Sequence, residues 1–129
     1  MTLRVVRLGE ERHPDEGLRI GTVRRPPRGV PKERFSVDDW YDVWLPQLAP
    51  SAELVKQGQS AATPGDWLAF CRKYRSEMSS PDNARLVGLL AALSRHANLS
   101  VGCYCEEEGH CHRSVLRELL EESGAVVVE

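Results

Sequence analysis

Residues 99–128 read LSVGCYCEEEGHCHRSVLRELLEESGAVVV. Residues 99–105 are a short apolar run, the pattern of a buried strand. From His112 onward the period changes: Val115, Leu116, Leu119 and Leu120 recur at helical spacing. Gly124 stands where a helix-terminating glycine belongs, and residues 125–128 return to a strand pattern. A strand, a helix and a second strand in so short a span predict a right-handed parallel crossover. That unit places the chain in the α/β class.

The rest of the chain fits the same class. Residues 3–8 and 18–24 read as two strands, separated by a charged loop with Pro14. Pro26, Pro27, Gly29 and Pro31 break regular structure in the segment VRRPPRGVPKER. Ser36 with Asp39 resembles a capping box, and Val37, Trp40, Tyr41, Trp44 and Leu48 approximate a helical stripe that Pro46 should end. Ser51, Thr63-Pro64 and Ser80-Pro81 are three further helix starts. Trp67, Phe70, Cys71, Tyr74 and Met78 mark one helical face, and Leu86, Leu89, Leu90 and Leu93 the next. Trp40, Trp44, Trp67, Phe70 and Tyr74 read as core, not as a base-stacking platform. The expectation is one layered α/β domain over residues 1–129, with a small, mainly parallel sheet flanked by helices.

Composition narrows the function. With 129 residues, 41% hydrophobic and 28% charged, the chain matches a globular protein that needs no staple. No apolar run approaches the roughly 18 residues of a spanning helix, and residues 1–7 lack a leader's apolar region. A cytoplasmic location without membrane partners is therefore expected, and there the four cysteines stay reduced. The net charge of -2 conceals a basic start: residues 1–35 carry +4 and the remainder -6. An acidic chain is a poor non-specific binder of duplex DNA, although the Arg24–Arg34 loop leaves nucleic acid as a minor alternative. No glycine-rich phosphate or dinucleotide loop is present.

The chemistry concentrates between residues 103 and 114. Cys103 and Cys105 fall on one face of the expected strand, since side chains alternate. Cys111, His112 and Arg113 follow where the helix begins. There exposed N–H groups and the helix dipole favour a thiolate and attract anions. One reading is a functional thiol: Cys111 as nucleophile or redox thiol, His110 or His112 as base, and Arg113 on an anion. A second is zinc held by Cys103, Cys105, Cys111 and His112 (or His110), at a spacing unlike the common paired-cysteine sites. A third is anion binding alone, with Ser114 beside Arg113 and Arg24, Arg25 and Arg28 converging as a clamp. The plainest has buried cysteines acting as small hydrophobes and Arg113 in an ion pair. His110-Cys111 and Arg117 also match a cysteine-phosphatase spacing, but residues 112–116 contain no glycine and look helical.

The segments RRPPRGV, WLPQLAPS, Trp67-x-x-Phe70-x-x-x-Tyr74 and the strand followed by CHRSVL resemble the domain of unknown function 488 family, small bacterial proteins related to YeaO. The resemblance spans residues 17–123, and its most specific piece falls on Cys111, His112 and Arg113. It implies an α/β fold and points at this segment without naming a reaction. Where many members carry Glu, this chain has Cys105. The expected function is an enzyme or enzyme-like pocket for an anionic, phosphate- or nucleotide-type ligand. The alternative is a zinc-stabilised binding module.

Overall fold

The structure is a computed structural model that describes residues 1–128. Five strands form one all-parallel sheet: β1 (Leu3–Arg7), β2 (Leu18–Gly21), β3 (Val43–Trp44), β4 (Leu99–Cys103) and β5 (Val127–Val128), in the order β3-β2-β4-β1-β5. The α-helices are α1 (Ala52–Gln59), α2 (Pro64–Met78), α3 (Pro81–Leu93) and α4 (His112–Glu122). The α/β class read from residues 99–128 holds.

The helix starts form through local chemistry. The Ser51, Thr63 and Ser80 side chains accept the N–H groups of Leu54, Asp66 and Asn83 at the heads of α1, α2 and α3. Asp66 answers Thr63 to complete a capping box, and Pro64 and Pro81 sit where a missing N–H costs nothing. Gly124, at φ +92°, ends α4.

The two faces of the sheet are covered differently. Leu3, Ile20, Leu99 and Val101 join Leu54, Phe70, Tyr74, Leu90, Val115 and Leu116 in one core, to which all four helices contribute. The connections from β3 to β4 and from β4 to β5 advance in the same direction across the sheet, so right-handed crossovers put every helix on that face. The other face, bearing Arg19, Gly21, Ser100 and Gly102, is covered by loops. There Tyr41 lies against Gly21, Leu8 against Gly102, and Glu16 accepts the Ser100 hydroxyl. A Cβ on Gly21 would lie 2.4 Å from the Tyr41 ring, so the missing side chain lets the loop settle on the sheet.

Residues 36–48 depart from the expected helix. They form turns, the two-residue edge strand β3 and a 3-10 turn at Pro46–Leu48. Ser36 and Asp39 do not cap: the Ser36 hydroxyl donates to Asp42, and Asp39 takes a left-handed φ of +64°. Short polar side chains that bond locally in this way compete with the helix. Trp44 is accordingly no core residue; its ring is 42% exposed and its Nε1–H donates to the Val23 carbonyl. On α3 the buried face is Val87, Leu90 and Ala91, while Leu89 and Leu93 face outward. No helix among the described residues is long and apolar enough to cross a membrane.

Candidate functional site

β4 is flanked by β1 and β2. The chain leaves β1 toward one edge of the sheet and leaves β4 toward the other. Neighbouring strands whose connections diverge leave a crevice beyond their carboxyl ends, where α/β proteins bind ligands. Here the divergence lies between Arg7 and Cys103, which pair across β1 and β4.

Cys103 closes β4, and Cys111 occupies the cap position of α4. Both are buried, and their sulfurs are 2.8 Å apart. His112, the first residue of α4, is buried beneath them. Its Nε2–H donates to the Thr22 carbonyl at 2.8 Å, which leaves Nδ1 as an acceptor 3.6 Å from the Cys111 sulfur. Burial drives the imidazole pKa down to about 4, against the pull of the Thr22 carbonyl. The ring is therefore neutral at pH 7. Tyr74 meets it edge-on at 5.4 Å and donates its own hydroxyl to the Leu48 carbonyl.

Cys105 lies beyond the end of the strand, so strand alternation does not align it with Cys103. It is nevertheless in contact: its backbone N–H donates to the Cys103 sulfur at 3.3 Å. Unlike those two, Cys105 is exposed. The hydrogen bonds from Cys103 and Cys111 outweigh partial burial and hold its pKa well below the ordinary thiol value, helped by the Arg113 charge. Cys103 moves the opposite way, because it donates to its neighbours and is buried. The hydrogen bond from Cys103 favours a Cys111 thiolate, but donation to Cys105 and burial prevail and raise Cys111 to about 11.

Arg113 follows on α4 and is 3% exposed. One terminal nitrogen donates to the Cys105 carbonyl at 2.6 Å, and Nε has no hydrogen-bond partner among the described residues. Arg113 lines a cavity of about 430 Å³ alongside β1, together with Arg7, Glu10, Glu11, Glu16, Glu106 and Glu108. Glu108 is paired with Arg117, which donates to it at 2.6 and 2.9 Å and keeps its pKa low. Residues 112–116 are helix, so no phosphate cradle surrounds Cys111.

The other expected ligand residues sit elsewhere. Arg24 donates to the carbonyls of Ala49 and Pro50, and Arg25 and Arg28 are exposed. None of the three lines the cavity. The loop does touch the cysteine segment: the Tyr104 hydroxyl donates to the Arg25 carbonyl at 2.8 Å. Ser114 donates to the Cys111 carbonyl inside the first turn of α4. His110 is exposed and lies against Trp67, outside the sulfur cluster. Arg7 and Thr22 were not singled out in the sequence. Their signal is position alone, at the carboxyl ends of strands that border β4.

The family model DUF488-N3a, described as the active DUF488-N3 subclade, matches residues 3–124. The chain belongs to the DUF488 family. No curated protein and no solved structure matches it. Within this DUF488 chain, the donor atoms of Cys103, Cys111 and His112 all lie within 4.8 Å of one another, an arrangement that could hold a metal ion. The fit to zinc is uneven. Two sulfurs about 2.3 Å from a tetrahedral zinc stand about 3.8 Å apart, so the 2.8 Å pair would have to open by about 1 Å. The 3.6 Å from Cys111 to His112 already suits such a site.

Proposed function

We propose that this DUF488 protein is an enzyme, or an enzyme-like pocket, for an anionic small molecule of phosphate or nucleotide type, bound in the crevice between β1 and β4. The observation that carries the reading is Arg113. It is 3% exposed, spends one terminal nitrogen on the Cys105 carbonyl and borders the cavity, so an anion bound there would meet a charge the protein has already taken out of water. Arg113 and the head of α4 form the anion subsite, with Arg7 at its rim. Cys105 supplies an exposed thiol beside it. Cys111 and His112 lie beneath as a thiol and a neutral base, with the base oriented by Thr22. The family model's description as an active subclade supports chemistry at the site over a purely structural role.

The test is calorimetric titration of the full chain with inorganic phosphate and, separately, with a nucleoside monophosphate. Iodoacetamide labelling of Cys105 is followed in parallel. Saturable binding that slows labelling is expected. Arg113→Gln should weaken it about 10- to 100-fold, the value of one charge-assisted hydrogen bond. If neither probe binds saturably nor protects Cys105, the reading fails.

A second reading is favoured by one observation. His112 gives its Nε2–H to a backbone carbonyl and turns Nδ1 toward two thiols, as metal-ligating histidines do. Zinc on Cys103, Cys111 and His112, with Cys105 as the fourth ligand, would make the segment a binding module without catalysis. About one zinc per chain after purification without chelator, together with unreactive thiols, supports this reading. Metal-free protein with a fast Cys105 refutes it.

A further inference from the structure

Three of the four cysteines meet at one point, and they differ in access. Cys103 and Cys111 are buried with sulfurs 2.8 Å apart, inside the roughly 3.5–4.0 Å at which non-bonded heavy atoms rest. Cys105 follows two residues after Cys103, donates its backbone N–H to the Cys103 sulfur at 3.3 Å, and is exposed. Cys71 stands apart, half-buried on α2. An anion site needs none of this convergence. Thiol–disulfide exchange needs all of it: one sulfur that a substrate can reach and two that can take up its oxidation.

We propose that the site reduces disulfides of low-molecular-weight thiols, with Cys105 as the entering thiol and Cys103 and Cys111 as the pair that ends oxidised. The inference goes beyond the function proposed above, because it depends on the three sulfurs and not on Arg113. The exposed Cys105 thiol gives its proton to water and attacks one sulfur of RSSR, forming a mixed disulfide and releasing RS⁻, which takes up a proton in turn. The Cys111 thiol attacks the Cys105 sulfur, and its proton passes to the departing second RS⁻. Cys103 then attacks the Cys111 sulfur and hands its proton to Cys105, which is regenerated. In sum, RSSR and two protein thiols become two RSH and one Cys103–Cys111 disulfide. Two electrons pass from the chain to the substrate. A reducing dithiol, through the reverse exchange, restores the starting state.

The experiment is a single turnover. Reduced full-length chain, its metal content measured beforehand, is mixed with oxidised glutathione, quenched in acid, alkylated and mapped by mass spectrometry. A Cys103–Cys111 disulfide is expected, with Cys105 and Cys71 alkylated and two equivalents of reduced glutathione released. Cys105→Ser should slow disulfide formation about tenfold or more, and Cys71→Ser should leave it unchanged. Glutathione remaining on Cys105 above free Cys103 and Cys111 thiols overturns the proposal. So does a retained metal that leaves all three thiols unreactive, or a Cys105→Ser rate equal to that of the parent. Mapping the parent chain alone decides the matter should the variant fail to fold. Phosphate binding is read separately, so either proposal can fail without the other.

Discussion

Arg19 and Glu16 are 1% and 2% exposed and face each other on the loop-covered side of the sheet. Arg19 donates twice to Glu16, at 2.6 and 2.9 Å, and again to the carbonyls of Glu10 and Asp39 at 2.9 and 2.6 Å. Glu16 also accepts the Ser100 hydroxyl at 2.7 Å. The pair therefore ties β2, β4 and both covering loops together. Removing one member of a buried pair leaves the other charge uncompensated, at about 3–5 kcal/mol. Arg19→Met should fall at the top of that range, because two backbone carbonyls are orphaned as well. Glu16→Gln keeps one accepting oxygen but turns the other into a donor facing Arg19 or Ser100, and should fall within the same range. The double variant Glu16→Met with Arg19→Met should cost less than the sum of its parts by about 2 kcal/mol or more, since no charge is left buried. Urea unfolding reads this directly: with a slope of about 2 kcal/mol/M, Arg19→Met should lower the midpoint by about 2.5 M. Burial alone would raise the Glu16 pKa, but the hydrogen bonds from Arg19 and Ser100 bring it below the ordinary value. The pair's contribution is thus present above about pH 4.5 and lost as pH falls through the depressed value. Single losses under about 1 kcal/mol that simply add would show that the charges are solvated, and the reasoning would be refuted.

Two other outcomes test the fold around the site. His112 titrates near 4 when folded and near 6.5 when unfolded, so the folded chain binds fewer protons between those values. Stability should fall as pH drops from about 6.5 to 4, by up to about 1.4 kcal/mol per unit, and His112→Gln should flatten that limb in urea titrations. Gly17 and Gly29 both have positive φ, +72° and +74°, but a Cβ on Gly17 would sit 2.0 Å from the Asn98 carbonyl oxygen while Gly29 has open space. Gly29→Ala should cost about 1–2 kcal/mol and Gly17→Ala distinctly more; equal thermal midpoints would count against the packing of that turn.

What the sequence disclosed divides along contact distance. Ser51, Thr63-Pro64 and Ser80-Pro81 were readable because a cap is made within four residues. Residues 36–48 were misread because their conformation is set from outside. Trp40 packs over Gly9, Tyr41 over Gly21, and β3 exists only through its pairing with β2. Even a good helical stripe yields to such contacts. The site follows the same rule. Cys103, Cys105, Cys111, His112 and Arg113 are close in the chain, and their spacing announced them. Arg7 and Thr22 reach the same place from strands about 90 residues away, and only the register of the sheet brings them there.

That division bears on how the two chemistries at the crevice depend on the fold. The sulfur cluster is assembled by the end of β4 and the head of α4, and its base is held by Thr22 next to β2. The cavity proposed to bind an anion also needs β1, which supplies Arg7 and its neighbours. β1 pairs with β5 only at Leu3 and Arg4, so its carboxyl half is held in the sheet by β4 alone. A perturbation that loosens this half of β1 should open the cavity and move Arg7 from Arg113 while Cys103, Cys105 and Cys111 stay together. Phosphate affinity would then fall without loss of the Cys103–Cys111 disulfide. Loss of both together would mean that β1 supports the turn after β4 as well as the cavity wall. That support would run through the hydrogen bond from Arg7 Nε to the Tyr104 carbonyl, 3.2 Å, and the Arg7–Glu106 ion pair, which Arg7→Met removes, and through the Leu8 N–H to the Cys103 carbonyl, 2.9 Å, which it leaves in place.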